Sequence, residues 1–368
     1  MIKVLHISSD SNLGGAGHQL LALIDAIDTN LFHMEVVLPV GARLSESLVK
    51  RGVKFTEVPH IAERSFSLAG VRELSKAIKA CKPNIVHTHG SLSGRIAAKL
   101  FSRCKVVQTR HSVFTQASWR KRFPMRFCSG LINNFFSDLS IAVSPAAKDN
   151  LLEMGTRESK IRVVYNGIEP TKARGLRAEG RKEYDVPPDT FVLAMLTRLA
   201  EVKGHDDVLD AAKYLPKDIV ILVAGDGPRQ KHLEERISNE GITNVRLLGW
   251  IDSPEEIIFI ANAGLNASFG TEATSLALLQ GMSYGLPAVV TDFGGNPYVI
   301  LDGVNGLVTP TRNPKALADA IIRLQADPEL YQQLSTGARQ VYMDKFTAKK
   351  MASDTEDVYK ELMKGDIT

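Results

Sequence analysis

The sequence predicts an α/β protein of two doubly wound, Rossmann-like domains, and three observations carry that prediction. Short apolar runs alternate with segments of helical periodicity along almost the whole chain, the pattern of parallel sheets covered by helices. The alternation runs twice, broken once by a stretch, 170–189, that is poor in apolar residues and rich in Arg, Gly and Pro. The length, 368 residues, is enough for two domains with full hydrophobic cores.

From the N-terminus, residues 3–8 (KVLHIS) form an apolar strand, followed by the turn Asn12-Leu13-Gly14-Gly15-Ala16-Gly17 and a helix over 18–27. Strand 34–39, a helix near 44–51, strand 54–59 and a helix through 68–80 come next. Strand 84–89 (NIVHTH), helix 94–101, strand 105–111 ending in His111, helix 131–138, strand 139–144, helix 145–154 and strand 161–168 complete a first domain, 1–169. Beyond the 170–189 linker, a second domain (190–346) opens with strand 191–199, helix 206–214 and strand 219–227. Helix 230–240, strand 245–250 and a helix near 255–261 follow. The stretch 264–296 is a βαβ unit. Strand 264–268 turns through Phe269-Gly270-Thr271 into a helix carrying Leu276, Leu278, Leu279 and Met282, which Gly285 and Pro287 stop. Strand 287–291 then runs into Gly294-Gly295-Asn296, and Glu272 is expected at the N-terminus of the helix. Helices over 314–326, 328–345 and 347–364 follow, the last within a C-terminal segment, 347–368.

Apolar residues at 44% and charged residues at 23% fit an ordinary soluble globular protein. Cys81, Cys104 and Cys128 sit at no metal-ligand spacing and suit a reducing compartment. The start, MIKVLHISS, reads as a strand rather than a signal peptide, and no apolar run is long enough to span a membrane. A cytoplasmic protein is expected, with a peripheral place on the inner membrane face as an option. Net charge is only +4, but 74–137 contains no Asp or Glu. It holds Lys76, Lys79, Lys82, Arg95, Lys99, Arg103, Lys105, Arg110, Arg120, Lys121, Arg122 and Arg126. In 114–136, Trp119, Phe123, Phe127, Phe135 and Phe136 interleave with these cations. The basic stretch 110–126 therefore suits an anionic lipid surface or a phosphorylated saccharide; a solvated basic helix with core aromatics is the bland alternative. No nucleic-acid motif is present, and no nucleic-acid partner is expected.

Glu272, seven residues, Gln280 and then Gly285-Leu286-Pro287-Ala288-Val289-Val290 resembles the donor-site signature of the retaining glycosyltransferases of group 1 (GT4). The family places Glu where this chain has Gln280. Gly14-Gly15-Ala16-Gly17 is similar to the family's N-terminal glycine loop, and Thr197–His205 (TRLAEVKGH) to its Arg/Lys diphosphate motif. Gly225-Asp226-Gly227-Pro228 and Asn166-Gly167-Ile168 are further landmarks, so the resemblance covers nearly the whole chain. It implies the GT-B fold, two Rossmann-like doubly wound domains facing a central cleft, with the last helix crossing back to the N-terminal domain. It implies a nucleoside-diphosphate sugar, with UDP the expected nucleotide, as donor, and a saccharide or lipid-linked saccharide as acceptor.

By the same resemblance, Arg198 and Lys203 hold the diphosphate, Glu272 holds donor-sugar hydroxyls, and His111 lies near the reacting centre. Gly14, Gly15, Gly17, Gly227, Thr271, Ala273, Thr274 and Ser275 complete the donor site, with Gln280 at the ribose. The physical chemistry agrees. The chain has no Asp-x-Asp pair for a divalent metal, so no metal or cofactor is expected. Side-chain cations and backbone dipoles must then stabilise the departing diphosphate. A carboxylate can accept from two hydroxyls and oppose charge growing on the anomeric carbon. Gln280 accepts with only one atom, which predicts donor binding weaker by roughly 1–2 kcal/mol. Tyr298 is a second departure, since Glu usually follows the Gly294–Pro297 turn. His87 and His89, on one strand face with His111 nearby, are not expected to form a zinc site. A nucleotide-sugar-binding protein with reduced or lost catalysis is the alternative reading. A dinucleotide-dependent oxidoreductase lacks support, because Gly14–Gly17 is not Gly-x-Gly-x-x-Gly.

Overall fold

Seven parallel strands make the first sheet among the described residues: β1 (Ile2–Ser8), β2 (Phe32–Pro39), β3 (Phe55–Val58), β4 (Ile85–His89), β5 (Lys105–Arg110), β6 (Leu139–Ala142) and β7 (Ile161–Val163). Their order is β3-β2-β1-β4-β5-β6-β7. Six parallel strands make the second: β8 (Phe191–Leu196), β9 (Ile219–Ala224), β10 (Val245–Gly249), β11 (Ala263–Asn266), β12 (Ala288–Thr291) and β13 (Gly306–Thr309), in the order β10-β9-β8-β11-β12-β13. This computed structural model describes residues 1–114, 124–170 and 177–364. Part of the basic-aromatic stretch, including Trp119, Arg120, Lys121, Arg122 and Phe123, lies outside them.

Both sheets form because their inner strands are apolar on both faces and helices cover each side. In β9 (IVILVA) every residue is buried. Burying one Leu, Ile or Val contributes roughly 1.5–3 kcal/mol, so each sheet sits at the centre of its own core. Helix starts are set by local chemistry: Ser67, Ser91, Ser144, Asn313 and Asp327 each accept a backbone N–H with their side chains.

The chain divides into two compact units, one of Met1–Gly167 with Ala348–Thr368, the other Ile168–Thr347. In the first, helix Ala348–Met363 contributes Met351, Ala352, Val358 and Tyr359 to a core shared with Leu20, Leu23 and Phe32. In the second, Leu193, Ile221, Leu265 and Val289 from neighbouring strands meet Leu317, Ile321 and Leu334. Each sheet has one point where strand order reverses, between β1 and β4 and between β8 and β11. Loops leaving such a point go to opposite faces and open a crevice beyond the C-terminal strand ends.

Some expectations need correction. The stretch read as linker contains helix Arg177–Glu183, packed in the second unit. Buried Arg181 donates to the carbonyls of Pro188, Thr190 and Ile260 and to Asn262 Oδ1. Its charge imitates a solvated linker in sequence while it ties three segments together. The helix placed at 131–138 is Met125–Phe136 and starts after Pro124. Gly306–Thr309 is a strand that its four residues were too few to announce. Several strands are shorter at their C-terminal ends than their apolar runs: β8 stops at Leu196 and β7 at Val163.

Candidate functional site

In the second unit, the loop after β8 carries Arg198 two residues beyond the strand, not on its end, with its side chain exposed. Among the described residues it pairs with no carboxylate. The loop itself is tightly held. Thr197 N donates to Ala224 O at 3.0 Å, Leu199 N to Asp226 O at 2.7 Å and Arg229 N to Leu199 O at 3.0 Å. Gly225 and Gly227 permit this approach: a Cβ would come within 2.2 Å of Thr197 O or 2.5 Å of Leu199 O.

Lys203 ends a short 3₁₀ turn, Glu201–Lys203, before helix His205–Ala212. Its Nζ donates to Thr271 O at 2.9 Å and to Glu272 Oε2 at 3.0 Å. An ammonium has three donors, so one N–H remains for a ligand. Glu272 is buried, and its Oε2 also accepts from Asn266 Nδ2 at 3.0 Å and Ser268 Oγ at 3.4 Å. None of these bonds uses Oε1. Two backbone links lock the loops after β8 and β11 together: Phe269 N and Gly270 N both reach Val202 O, at 2.9 and 3.3 Å. The loop after β12 joins them through Gly295 N, which donates to Glu272 O at 3.0 Å.

Glu272 is therefore not at a helix N-terminus. Helix Leu276–Ser283 is capped by Ser275, whose Oγ accepts from Leu278 N. Glu272 sits in the preceding loop with Thr271, Ala273 and Thr274, held by its own partners. Gln280 is half-buried on the second turn of the helix, and its backbone carbonyl accepts from Ser283 Oγ at 2.7 Å. Contacts thus join Lys203, Thr271 and Glu272 directly, and Gly227 to the Arg198 loop; no described hydrogen bond joins Arg198 or Gln280 to that group. Asn266, Ser268 and Thr291 are not singled out in the sequence, and Asn296 only as part of the Gly294–Pro297 turn. Thr291 Oγ1 donates to Ser268 O at 2.6 Å and Asn296 Nδ2 to Asn266 Oδ1 at 3.4 Å, so Thr291 and Asn296 hold the two residues that bond Glu272. Small polar residues at the ends of apolar strands are the only sequence signal they offer.

Gly14, Gly15, Gly17 and His111 belong to the first unit. Gly14 precedes helix Gly15–Ala26 and has no side chain to cap it, and buried Gly17 fits against Leu13. His6 on β1 and His87 on β4 are register partners across the switch point, His89 lies two residues on, and half-buried His111 follows β5. His6 Nδ1 is 2.9 Å from His89 Nε2, and His89 Nδ1 is 2.8 Å from His111 Nε2. His87 contacts Tyr359 Oη through Nδ1 and Thr109 Oγ1 through Nε2, both at 2.6 Å. Candidate ligand nitrogens of His6, His87 and His89 lie within 4.8 Å of one another, close enough to share a metal ion. The hydrogen bonds already engage those nitrogens, so the group does not fit a metal without giving them up.

Burial keeps these rings neutral. It pushes His6 down to about 3 and His111 to about 4, and holds His87 and His89 well below the usual imidazole value. Below pH 6.5 the unfolded chain binds protons that the folded rings refuse, so stability is expected to fall as pH drops from 6.5 toward 4. The slope is about 1.4 kcal/mol per pH unit for each ring that stays neutral. Urea unfolding at pH 7 and pH 5 measures it; equal midpoints would contradict a neutral cluster.

Comparison with known proteins now decides the family. The family described as "Glycosyl transferases group 1" matches residues 177–341, and "Glycosyltransferase Family 4" matches 13–172. The chain belongs to the group 1 glycosyltransferases. Among relatives of this glycosyltransferase, the N-acetyl-alpha-D-glucosaminyl L-malate synthase of Bacillus anthracis is 27% identical, over 82% of this chain and 81% of that one. The UDP-Gal:alpha-D-GlcNAc-diphosphoundecaprenol alpha-1,3-galactosyltransferase of Escherichia coli is 25% identical, over 98% and 97%. The crystal structure of Anabaena HepE in complex with UDP superposes with a TM-score of 0.84 at 19% identity, covering 98% of this chain and all of that one. That likeness and the two parallel sheets identify the fold of this glycosyltransferase as GT-B. No helix among its described residues is long and apolar enough to cross a membrane.

Proposed function

We propose that this group 1 glycosyltransferase moves a hexosyl group from a UDP-sugar to a saccharide or lipid-linked saccharide, with retention of anomeric configuration, in the synthesis of a bacterial surface polysaccharide. The observation that carries the reading is the Lys203–Glu272 pair at the switch point of the second sheet, with Arg198 exposed on the loop beside β8. Arg198 and the remaining N–H of Lys203 take the diphosphate oxygens, and Glu272 Oε1 takes donor-sugar hydroxyls. With those cations in place the reaction needs no metal. Retention follows from front-face attack, in which the departing phosphate oxygen takes the acceptor proton; the protein then acts by positioning and electrostatics. The names of the relatives support a UDP-sugar donor: the Escherichia coli enzyme is named for UDP-Gal, and HepE has been solved with UDP and with UDP-glucose.

The test is a thermal-shift panel of nucleoside diphosphates and their sugars, followed by donor hydrolysis. UDP at about a hundredfold its Kd stabilises by about 2.7 kcal/mol, which a melting curve resolves. No shift with any nucleotide would sink the reading. Gln280 favours a second reading, a donor-binding protein with reduced catalysis. Gln280→Glu is expected to tighten UDP binding about tenfold, the 1–2 kcal/mol between neutral and charged hydrogen bonds. Wild-type protein that binds UDP but turns over no sugar, with no gain in the variant, would select the second reading.

The acceptor side is proposed to meet an anionic membrane. On helix Met125–Phe136, Phe127, Leu131 and Phe135 stand one turn apart on one face and are 62%, 61% and 56% exposed, next to exposed Arg126. Apolar side chains at that spacing with flanking cations suit a headgroup interface. Vesicles rich in phosphatidylglycerol are expected to bind the protein, and Phe127→Ser with Phe135→Ser to weaken binding at least tenfold. Equal binding of the double variant would rule this face out.

A further inference from the structure

The buried polar chain of the first unit runs Thr109–His87–Tyr359–His6–His89–His111. The one long link is Tyr359 Oη to His6 Nε2, at 3.5 Å. Every ring is a neutral imidazole, with one N–H and one lone pair. The Tyr359 oxygen could accept from both His87 and His6, but its own buried O–H would then have no described acceptor; with Tyr359 donating within the chain, direction is consistent from end to end and two arrangements satisfy every link. Hydrogen positions follow from that requirement.

In one arrangement, protons point inward from His111. His111 Nε2–H donates to His89, His89 Nε2–H to His6, His6 Nε2–H to Tyr359, Tyr359 O–H to His87, and His87 Nε2–H to Thr109. The Thr109 hydroxyl proton is then left over, and no other described hydrogen bond uses that buried side chain. In the reverse arrangement, Thr109 O–H donates to His87 Nε2 and His87 Nδ1–H to Tyr359. Tyr359 O–H then donates to His6 Nε2, His6 Nδ1–H to His89 Nε2, and His89 Nδ1–H to His111 Nε2. The leftover donor is now His111 Nδ1–H, at the half-buried end where water or a ligand can accept it. An unmatched donor is costly when buried and cheap at a wet end, so the second arrangement is preferred.

We infer that His89, His6 and Tyr359 are positioning residues that hold His111 as the Nδ1–H tautomer, so that it meets a ligand as a hydrogen-bond donor. The inference rests on the transferase reading above for its ligand, a donor-sugar oxygen, but not for its geometry. It excludes one role: with Nε2 occupied by His89 and Nδ1 protonated, His111 has no lone pair to act as general base. Tyr359 lies far along the sequence, on the helix that closes the first unit's core, so the state of His111 depends on that helix being docked.

The experiment is a two-bond ¹H–¹⁵N correlation spectrum of histidine-labelled full-length protein at pH 7.5, assigned with single His variants. His6, His87, His89 and His111 are all expected as Nδ1–H forms. An Nε2–H signature at His111 overturns the inference, and so does loss of the His6, His87 and His89 signatures on adding one equivalent of zinc chloride, which would mark a metal site instead. Variants give a functional arm. His89→Leu breaks the chain and is expected to lower sugar turnover tenfold or more, with UDP affinity within twofold of wild type. His89→Gln, whose amide can accept from His6 and donate to His111, is expected to recover most of the loss. Equal losses in both variants would reduce His89 to packing and overturn the positioning role. Wild-type protein that binds no UDP would instead fail the transferase reading, while the spectrum would still read the tautomers.

Discussion

Lys203→Ala is expected to lower kcat for sugar transfer by about 10²–10³-fold, the loss seen when one group stabilising a developing charge is removed, about 2.7–4 kcal/mol. The ammonium is well placed for that role. It is held by Thr271 O and Glu272 Oε2, is largely screened from solvent, and keeps one N–H for a phosphate oxygen. The substitution has a second cost. Glu272 loses its only cationic partner among the described residues while remaining buried, and such a group left short of a partner costs about 1–3 kcal/mol. The melting temperature should drop by several degrees as well. Lys203→Arg is not expected to rescue turnover, because a planar fork cannot reproduce a compact ammonium shared between a carbonyl and a carboxylate. Steady-state kinetics with thermal melts read both effects. A variant that keeps kcat within twofold would remove Lys203 from the reaction and with it the central support for the proposed mechanism.

Gly295→Ala should be nearly as damaging, though Gly295 is proposed to touch no ligand. Its added Cβ would lie 1.7 Å from Ala273 O, and one on neighbouring Gly294, at φ +59°, would lie 2.2 Å from Glu272 O. These are backbone atoms with no rotamer to escape into, so one loop must move. Overpacking of this kind costs typically 1–3 kcal/mol or more. The segment displaced is the one that presents Thr271 O and Glu272 to Lys203, so turnover is expected to fall at least tenfold alongside stability. Gly303→Ala, at φ +71° with open space around its Cβ, is the control, since it lowers stability through backbone strain without pushing on the Glu272 loop. A Gly295→Ala protein that melts and turns over like wild type would show that the β12 loop does not hold Glu272 in place.

Much of the site was legible because it lies at strand ends. The apolar runs locate those ends, and the glycine turns after β9 and β12 mark where backbone must pass close to backbone. Arg198, Lys203 and Glu272 stand out as charges in such places. Local periodicity also mimicked features that folding did not keep. Glu272 looked like a helix-capping acid because a carboxylate just before an apolar periodic run usually is one. Ser275, three residues on, takes the cap instead and frees Glu272 to bond Lys203, Asn266 and Ser268. Arg177–Glu183 looked like linker because the partners of Arg181 are carbonyls from distant segments, which leave no mark on its neighbours.

By itself the sequence determined the two alternations of strand and helix, the family, and which cations and carboxylate stand beyond the β8 and β11 strand ends. Those properties follow from backbone preference and from the burial of short continuous strand runs and of every third to fourth helix side chain, and both act within a few residues. The tertiary structure alone decided who bonds whom: Lys203 to Glu272 across 69 positions, and His87 to Tyr359 across 272. Hydrogen bonds are satisfied by whatever the folded chain brings within about 3 Å, and a buried imidazole or carboxylate takes its chemical state from those partners.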